Sequence, residues 1–527
     1  MSVLLVVVWR MTYEQPAIHQ RHANSLFEDE RDASRPRHEH SSSSQLLPAT
    51  AEPLVVDVLS GAPGCGKSEA MLVDAANRPG HYLFAFLTTE LADEQAQRFA
   101  LLAPKATLSV IHSKRGRGAV GGRLTQARTG SENCNHAAVF VTHEALVTHD
   151  LSHFQGWHLR IDECPNVTAS GHLRLAHSAA HYQSAFKLEP VEAGWSLVKP
   201  AGPRASWKEI ADDTMGKTIK DFHAWADRPA DLILNLNSFT GPDIKKQIQW
   251  AAIWQLGQLD AFSSVTIAAS NFIGSIGHRV WVNLHRERVE FRENRLGVMR
   301  TAQPQIILSY FTEGHEGTTV FWEGNGHACI VAVEEWLKHN RPDLGFWSSN
   351  DSIKNDFLDR IKGKAEQPKL AGLNRLRNET SCAIIYSSKS VPGDAPIIDM
   401  FDVRKEEIQA SREDEDIFQF VCRGAIRDPN YGGPYGAYVY SRSQAERLAN
   451  KLIAAGYRDV TTTGVAGAGI MSVQRLSPGA RAAAGNLAAK AARAKQQNAR
   501  RSKVYRLRKK AQRIASSSAD EIIGTDP

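Results

Sequence analysis

Eight consecutive residues, Gly61, Ala62, Pro63, Gly64, Cys65, Gly66, Lys67 and Ser68, constrain this chain more than any other stretch. They fit the spacing G-x-x-x-x-G-K-[ST] in full. Before them runs the apolar segment 53–60, and residues 69–76 after them have helical character. A short continuous apolar run marks a strand buried on both faces of a parallel sheet. Glycines at this spacing let successive backbone N–H groups turn inward to hold phosphate oxygens at a helix N-terminus, where the dipole favours anions. Lys67 then meets the β- and γ-phosphates of a nucleoside triphosphate, and Ser68 ligates Mg²⁺. The segment predicts a strand, a phosphate-holding loop (P-loop) and a helix.

The alternation continues along the chain. Strands are expected at 81–87, 137–142 and 157–162, a helix at 91–102, and a last strand of the first sheet at 264–269. A second alternating region has strands near 305–310, 382–386 and 437–440 and helices at 328–339, 414–426 and 443–455. Strands alternating with helices predict parallel sheets covered on both faces, so the fold class is α/β with two consecutive sheets. Residues 165–259 lose the pattern, and we read them as an insertion of loops and mixed helices. The first fifty residues, rich in His, Ser, Arg and Glu, show no apolar period and read as a disordered leader.

The N-terminal apolar run 3–9 is far shorter than the roughly 20 residues that cross a bilayer. It lacks the basic and small flanks of an export signal. Six cysteines without a Cys-x-x-Cys pair suggest neither a zinc knuckle nor a disulfide framework, which predicts a cytoplasmic setting with no membrane partner. The net charge is +6, yet residues 475–513 hold thirteen Lys and Arg and no Asp or Glu, so the rest of the chain stands at 6 − 13 = −7. A basic, Ala-rich tail of this kind, helical or disordered, attracts phosphate backbones by counterion release.

A second constellation is Asp162-Glu163 at the end of the strand 157–162. Ligands gather at the carboxyl ends of strands in an α/β sheet, which puts this pair beside the loop 61–68. Asp162 is expected to hold Mg²⁺ and Glu163 to orient and deprotonate an attacking water. In the second region, Gln419, Arg423 and Arg427 stand four apart, on one face of the expected helix 414–426. Arginines so presented reach across a cleft to a γ-phosphate.

Together, the P-loop, the Thr88-Thr89 pair, the stretch 141–144 with Thr142, Asp162-Glu163 and the stretch 419–427 resemble the superfamily-two helicases, which include the DEAD-box and DEAH-box proteins. The stretch 419–427 departs from the family pattern Q-x-x-G-R-x-G-R by one extra residue before the last Arg and by Cys422 for the first Gly. The resemblance implies two tandem RecA-like P-loop NTPase domains that take ATP and Mg²⁺ between them. It implies catalytic roles for Glu163, Gln419, Arg423 and Arg427, strand contacts by Thr88, Thr89 and Thr142, a coupling motif at 266–270 and a nucleotide-side glycine at Gly372. The expected organisation is a leader (1–52), an ATP-binding domain (53–300, with an insertion at about 165–259), a second RecA-like domain (301–457) and a basic tail (458–527). The expected activity is ATP-driven translocation along, or unwinding of, DNA or RNA, with DNA favoured. The alternatives are a replication-initiation or scaffold protein that uses nucleotide as a switch, and a DNA-packaging ATPase. Against the last stands the absence of acidic residues from Thr461 to Ala519, where clustered metal ligands of a nuclease would lie.

Overall fold

A computed structural model describes residues 53–475, apart from 117, 174–185, 193–194, 203–218, 236–247, 286, 298–299 and 370–374. The leader, Gly372 and the tail beyond 475 lie outside the described residues.

Five strands of the first sheet come early: β1 (Leu54–Ser60), β2 (His81–Phe86), β3 (Thr107–Ile111), β4 (Ala137–Thr142) and β5 (His158–Asp162). Helices α1 (Lys67–Asn77), α2 (Thr89–Leu102), α3 (Val120–Gly130) and α4 (His143–Thr148) connect them. An excursion then builds β6 (Thr168–Leu173), β7 (Phe186–Glu192), β8 (Trp195–Pro200), the helix α5 (Lys220–Ala226), β9 (Ala230–Asn235) and β10 (Ile248–Trp254). The chain returns through β11 (Ser264–Ala268), α6 (Ile276–His285) and β12 (Val289–Arg295).

The first sheet has seven strands in the order β12-β1-β11-β5-β2-β4-β3, all paired in parallel. Every carboxyl end therefore lies on one edge. That edge collects the loop after β1, the carboxylates after β5, and the threonines after β2 and at the end of β4. β2 and β4 are buried along nearly their whole length, as a sheet covered on both faces requires.

The second sheet comprises β13 (Gln305–Thr312), β14 (Phe346–Ser349), β15 (Lys364–Ala365), β16 (Ser381–Ile385), β17 (Pro434–Ser441) and β18 (Asp459–Gly464). Its order is β15-β14-β16-β17-β13-β18, again all parallel. Helices of this region include α7 (His327–Asn340), α8 (Ala395–Phe401), α9 (Lys405–Gln409), α10 (Glu415–Val421) and α11 (Arg442–Ala454). The α/β class and the two tandem RecA-like sheets thus stand on the chain's own topology.

Three expectations need correction. The insertion is not loops and mixed helices: its described residues form a five-stranded antiparallel sheet, β6-β10-β9-β8-β7. This sheet is apolar on both faces. Leu232, Leu234, Trp250 and Ala252 face a core with Phe222 and Trp225 of α5, while Ile233, Ala251 and Ile253 face the core of the first sheet. Burial on both sides erases the period-2 signal from the run Ile248–Trp254. Second, β11 does not end the first sheet. β12 follows, an edge strand whose Glu290, Arg292, Glu293 and Arg295 guard its open side and mask its strand character. Third, the second sheet passes the expected boundary at 457, because the polar strand β18 pairs with β13.

Trp281 of α6 lies fully buried against Trp254 of β10, to whose carbonyl its Nε1 donates at 3.4 Å, and stacks on Phe291 of β12. Trp281→Ala is expected to destabilise the first body by about 3–5 kcal/mol, read from denaturant unfolding.

Candidate nucleotide site

β1 ends at the buried Ser60, and the loop that follows turns at once. Gly61 and Gly64 hold φ of 147° and 87°, conformations that side chains rarely adopt. Space forbids side chains there as well. A Cβ on Gly61 would lie 2.6 Å from the Leu296 carbonyl oxygen, and one on Gly64 would lie 2.8 Å from Cγ of Arg427. Lys67 opens α1 and folds its ammonium back over the loop, donating to the carbonyls of Gly61 at 2.8 Å and Ala62 at 3.2 Å. Those carbonyls hold the lysine inside the cradle, where it must let go to meet a phosphate.

Ser68 Oγ donates to Asp162 Oδ1 at 2.5 Å, joining the loop to the end of β5 across 94 residues of chain. These two hard oxygen donors, one in the first turn of α1 and one at the end of β5, would fit an Mg²⁺ ion. Beneath them, burial pulls the His143 imidazole down to about 4, so it is neutral at physiological pH. Its Nε2 lies 2.9 Å from the Asp162 carbonyl, which requires the proton on Nε2. That bond fixes the backbone on which both carboxylates turn.

Glu163 sits at φ 67°, a left-handed conformation that costs a non-glycine residue about 1 kcal/mol. Its N–H donates to the Ala268 carbonyl at 2.9 Å, so the strained turn is held by β11. Burial raises the pKa of both carboxylates. For Asp162 the charge of Glu163 adds to the rise, while Ser68, Lys67 and Arg423 oppose it. For Glu163 the charges of Lys67, Arg423 and Arg427 oppose the rise, and Glu415 adds to it.

The second sheet sends the arginines. The helix expected over 414–426 is shorter: α10 ends at Val421, Arg423 lies in a turn and Arg427 closes a 3-10 turn over Ala425–Arg427. Gly424 breaks the helix. A Cβ there would lie 2.4 Å from the Tyr435 hydroxyl, and the next N–H, of Ala425, is drawn to the Glu379 carbonyl at 2.8 Å. Gln419, Arg423 and Arg427 therefore do not share a helix face. Both arginines reach the first body nevertheless. Arg423 is 5% exposed, its Nε has no hydrogen-bond partner among the described residues, and burial lowers its pKa to about 10 against the pull of Glu163, so it stays charged. Arg427 lies on Gly64 of the loop. Gln419 turns elsewhere: its Nε2 donates to Ser270 Oγ just past β11, and to Glu415 at 3.0 Å.

Ser270 falls in the expected coupling motif and does bridge the two bodies, since its hydroxyl also donates to Glu415. Nothing in the sequence singles out Glu415, because besides Gln419 its partners lie 145 and 36 residues away, Ser270 and Lys451, the latter at 2.8 Å. Thr88 and Thr142 cap helices: Thr88 Oγ1 accepts from the Leu91 N–H at 3.1 Å and Thr142 Oγ1 from the Ala145 N–H at 3.3 Å. Thr89 is the first residue of α2. A cavity of ≈ 610 Å³ opens beside Glu163 and Arg423, walled by Ser270, Ser275, Arg412 and Glu415.

No protein-family model matches the sequence, and no curated protein matches it. Among solved structures the chain is similar to an XPD helicase, at 11% identity and TM-score 0.44, over 78% of this chain and 96% of that one. It is similar to S. tokodaii Xpd4 at 11% identity and TM-score 0.41, over 78% and 96% of the two chains. S. cerevisiae Dbp5 bound to RNA and ADP BeF3 follows at 10% identity and TM-score 0.32, over 80% and 87%. At such scores these likenesses add nothing to what the chain's own loop, carboxylates and arginines carry.

The raised carboxylates make a linked prediction. A carboxyl whose folded pKa lies above its unfolded one binds more protons when folded, so its contribution to stability falls as pH rises from about 4 toward about 7. Denaturant unfolding of the nucleotide-free protein across this window should show a steeper loss for the wild type than for Glu163→Gln. Equal slopes would mean that the pair titrates normally.

Proposed function

We propose that this chain is an ATP-driven motor of the helicase type that hydrolyses ATP between its two sheets and moves along a nucleic-acid strand. One observation carries the reading: Gly64 of the P-loop lies against Arg427, and Asp162 and Glu163 feel the charge of Arg423, so one site draws its parts from both sheets. A nucleotide-binding switch needs only the first sheet, whereas arginines from a second sheet make turnover depend on how the cleft is closed.

The loop amides and Lys67 hold the β- and γ-phosphates. Ser68 and Asp162 would hold Mg²⁺, which would supply positive charge against the phosphates. Glu163 orients a water in line with the γ-phosphate and takes its proton. A base with a raised pKa suits that step, being closer to neutrality than a free carboxylate. Arg423 and Arg427 stabilise the charge that spreads over the transferring phosphoryl group. Closure also draws Gln419 and Glu415 onto Ser270, so the end of β11 registers the state of the cleft. The carboxyl edges that hold Thr88, Thr89 and Thr142 are where a strand would lie. The cap bonds of Thr88 and Thr142 leave their hydroxyls able to donate to a phosphate. Gly372 stays assigned to the nucleotide side, and the basic tail to the strand.

Lys67→Ala should abolish hydrolysis, and Arg423→Ala should lower kcat by about 10³-fold. Single-stranded DNA, and RNA in parallel, should stimulate the wild type. Near-normal turnover in Lys67→Ala would overturn the pocket, and indifference to both strands would favour the switch. Arg475 is part of the fold, bonded to the Glu316 carbonyl and to Thr318 Oγ1 at 3.1 Å, so the tail is best removed after it. Loss of residues 476–527 should reduce the slope of log affinity against log salt by about 0.7 for each strand phosphate the tail neutralises. An unchanged slope would free the tail from this role.

A further inference from the structure

Between β16 and α10 the second sheet's chain leaves its own core. Ile385 and Ile417 lie at the two ends of this excursion, in the cores of the second sheet. Between them, Ile397 and Phe401 of α8, Val403, and Ile408 of α9 are buried in the first body's core, with Val280 and Trp281 of α6 and with Trp195, Ile233 and Ile253 of the insert. None of these four joins a core of the second sheet. Polar bonds repeat the pattern. Asn283 Nδ2 donates to the Phe401 carbonyl, the Ile276 N–H to Ser411 Oγ at 3.2 Å, and Arg279 pairs with Glu407 at 3.3 Å. Ser170 of the insert donates to Asp394 Oδ1 at 3.4 Å, and Asp394 takes both forks of Arg412 at 2.9 Å each.

The residues on the far side of this excursion are gripped by the second body instead. Glu413, fully buried, accepts from the Ser388 N–H at 2.9 Å and from Gln444 Nε2 at 3.1 Å. Arg447 of α11 pairs with Glu413 at 3.2 Å and with Asp414 at 2.9 Å. The chain passes from one grip to the other within the π turn Ala410–Asp414. Such turns are rare and recur at functional sites.

We infer that the insert and α6 form a bracket that holds residues 395–409 as part of the first body, and that the second sheet pivots on the two ends of this segment. One pivot is 386–394. The other is the π turn, immediately before the helix that carries Gln419 and leads to Arg423. A small rotation there moves the arginines relative to Glu163 while α8 and α9 stay in place. The bracket gives the insert a task. As a statement about packing it holds with or without turnover; its use as a pivot rests on the motor function proposed above.

Native-state hydrogen exchange on the full chain tests it. Val280→Ala, in the first core, should speed exchange at α8 and α9 by about tenfold, together with β10. Leu448→Ala, in the second core, should speed β17 and leave α8 and α9 within about twofold. Amides of 395–409 that follow Leu448→Ala, or neither variant, overturn the bracket. Should Val280→Ala fail to fold, the wild type in rising denaturant decides: amides of 395–409 that converge with β10 support the bracket, and convergence with β17 overturns it. A chain that shows the bracket pattern yet hydrolyses no nucleotide would overturn the motor function alone.

Discussion

Two adjacent carboxylates at the end of one strand, one buried and one half-buried, are the constraint on which the rest of this site depends. Asp162 is buried and Glu163 is half-buried at the wall of the cavity, and like charges held side by side with so little water are costly unless cations or protons compensate. The chain supplies that compensation with three cations. Lys67 comes from the loop after β1, and Arg423 and Arg427 come from the second sheet. The same arrangement that balances the charge brings together the carboxylates, the bonded oxygens of Ser68 and Asp162 and the two arginines from which the proposed site is built.

Position follows from sheet order. β11 lies between β1 and β5, so its end touches both the loop strand and the carboxylate strand. That explains why Ala268 holds the strained backbone of Glu163 and why Ser270, two residues on, meets Glu415 and Gln419. Strain at Glu163 and the Arg423 Nε that finds no partner among the described residues are costs met by the surrounding cores, and both fall where chemistry is proposed.

Legibility in the sequence tracks how local each feature is. The P-loop, the Asp-Glu pair and the central strands can be read because their signals lie within a few consecutive residues. Residues 248–254 escape a sequence reading because burial on both faces of an antiparallel sheet removes the alternation that marks a strand. β12 and β18 escape it because polar edge strands resemble loops. The stretch 419–427 is legible in its residues but not in its shape: spacing places three side chains on one helical face, whereas Gly424, wedged against Tyr435, ends the helix and splits them.

The sequence by itself determined the glycine-rich loop 61–68, the residue types of the site and the presence of two α/β regions, because backbone freedom at glycine, charge and apolar runs are encoded residue by residue. Tertiary structure decided how far the Asp162-Glu163 pair is withdrawn from water and which arginines reached it. It also decided that residues 395–409 pack with the first body rather than with the sheet they belong to in sequence. These outcomes depend on contacts between residues a hundred or more positions apart, and no local pattern specifies which of two cores an apolar segment will join.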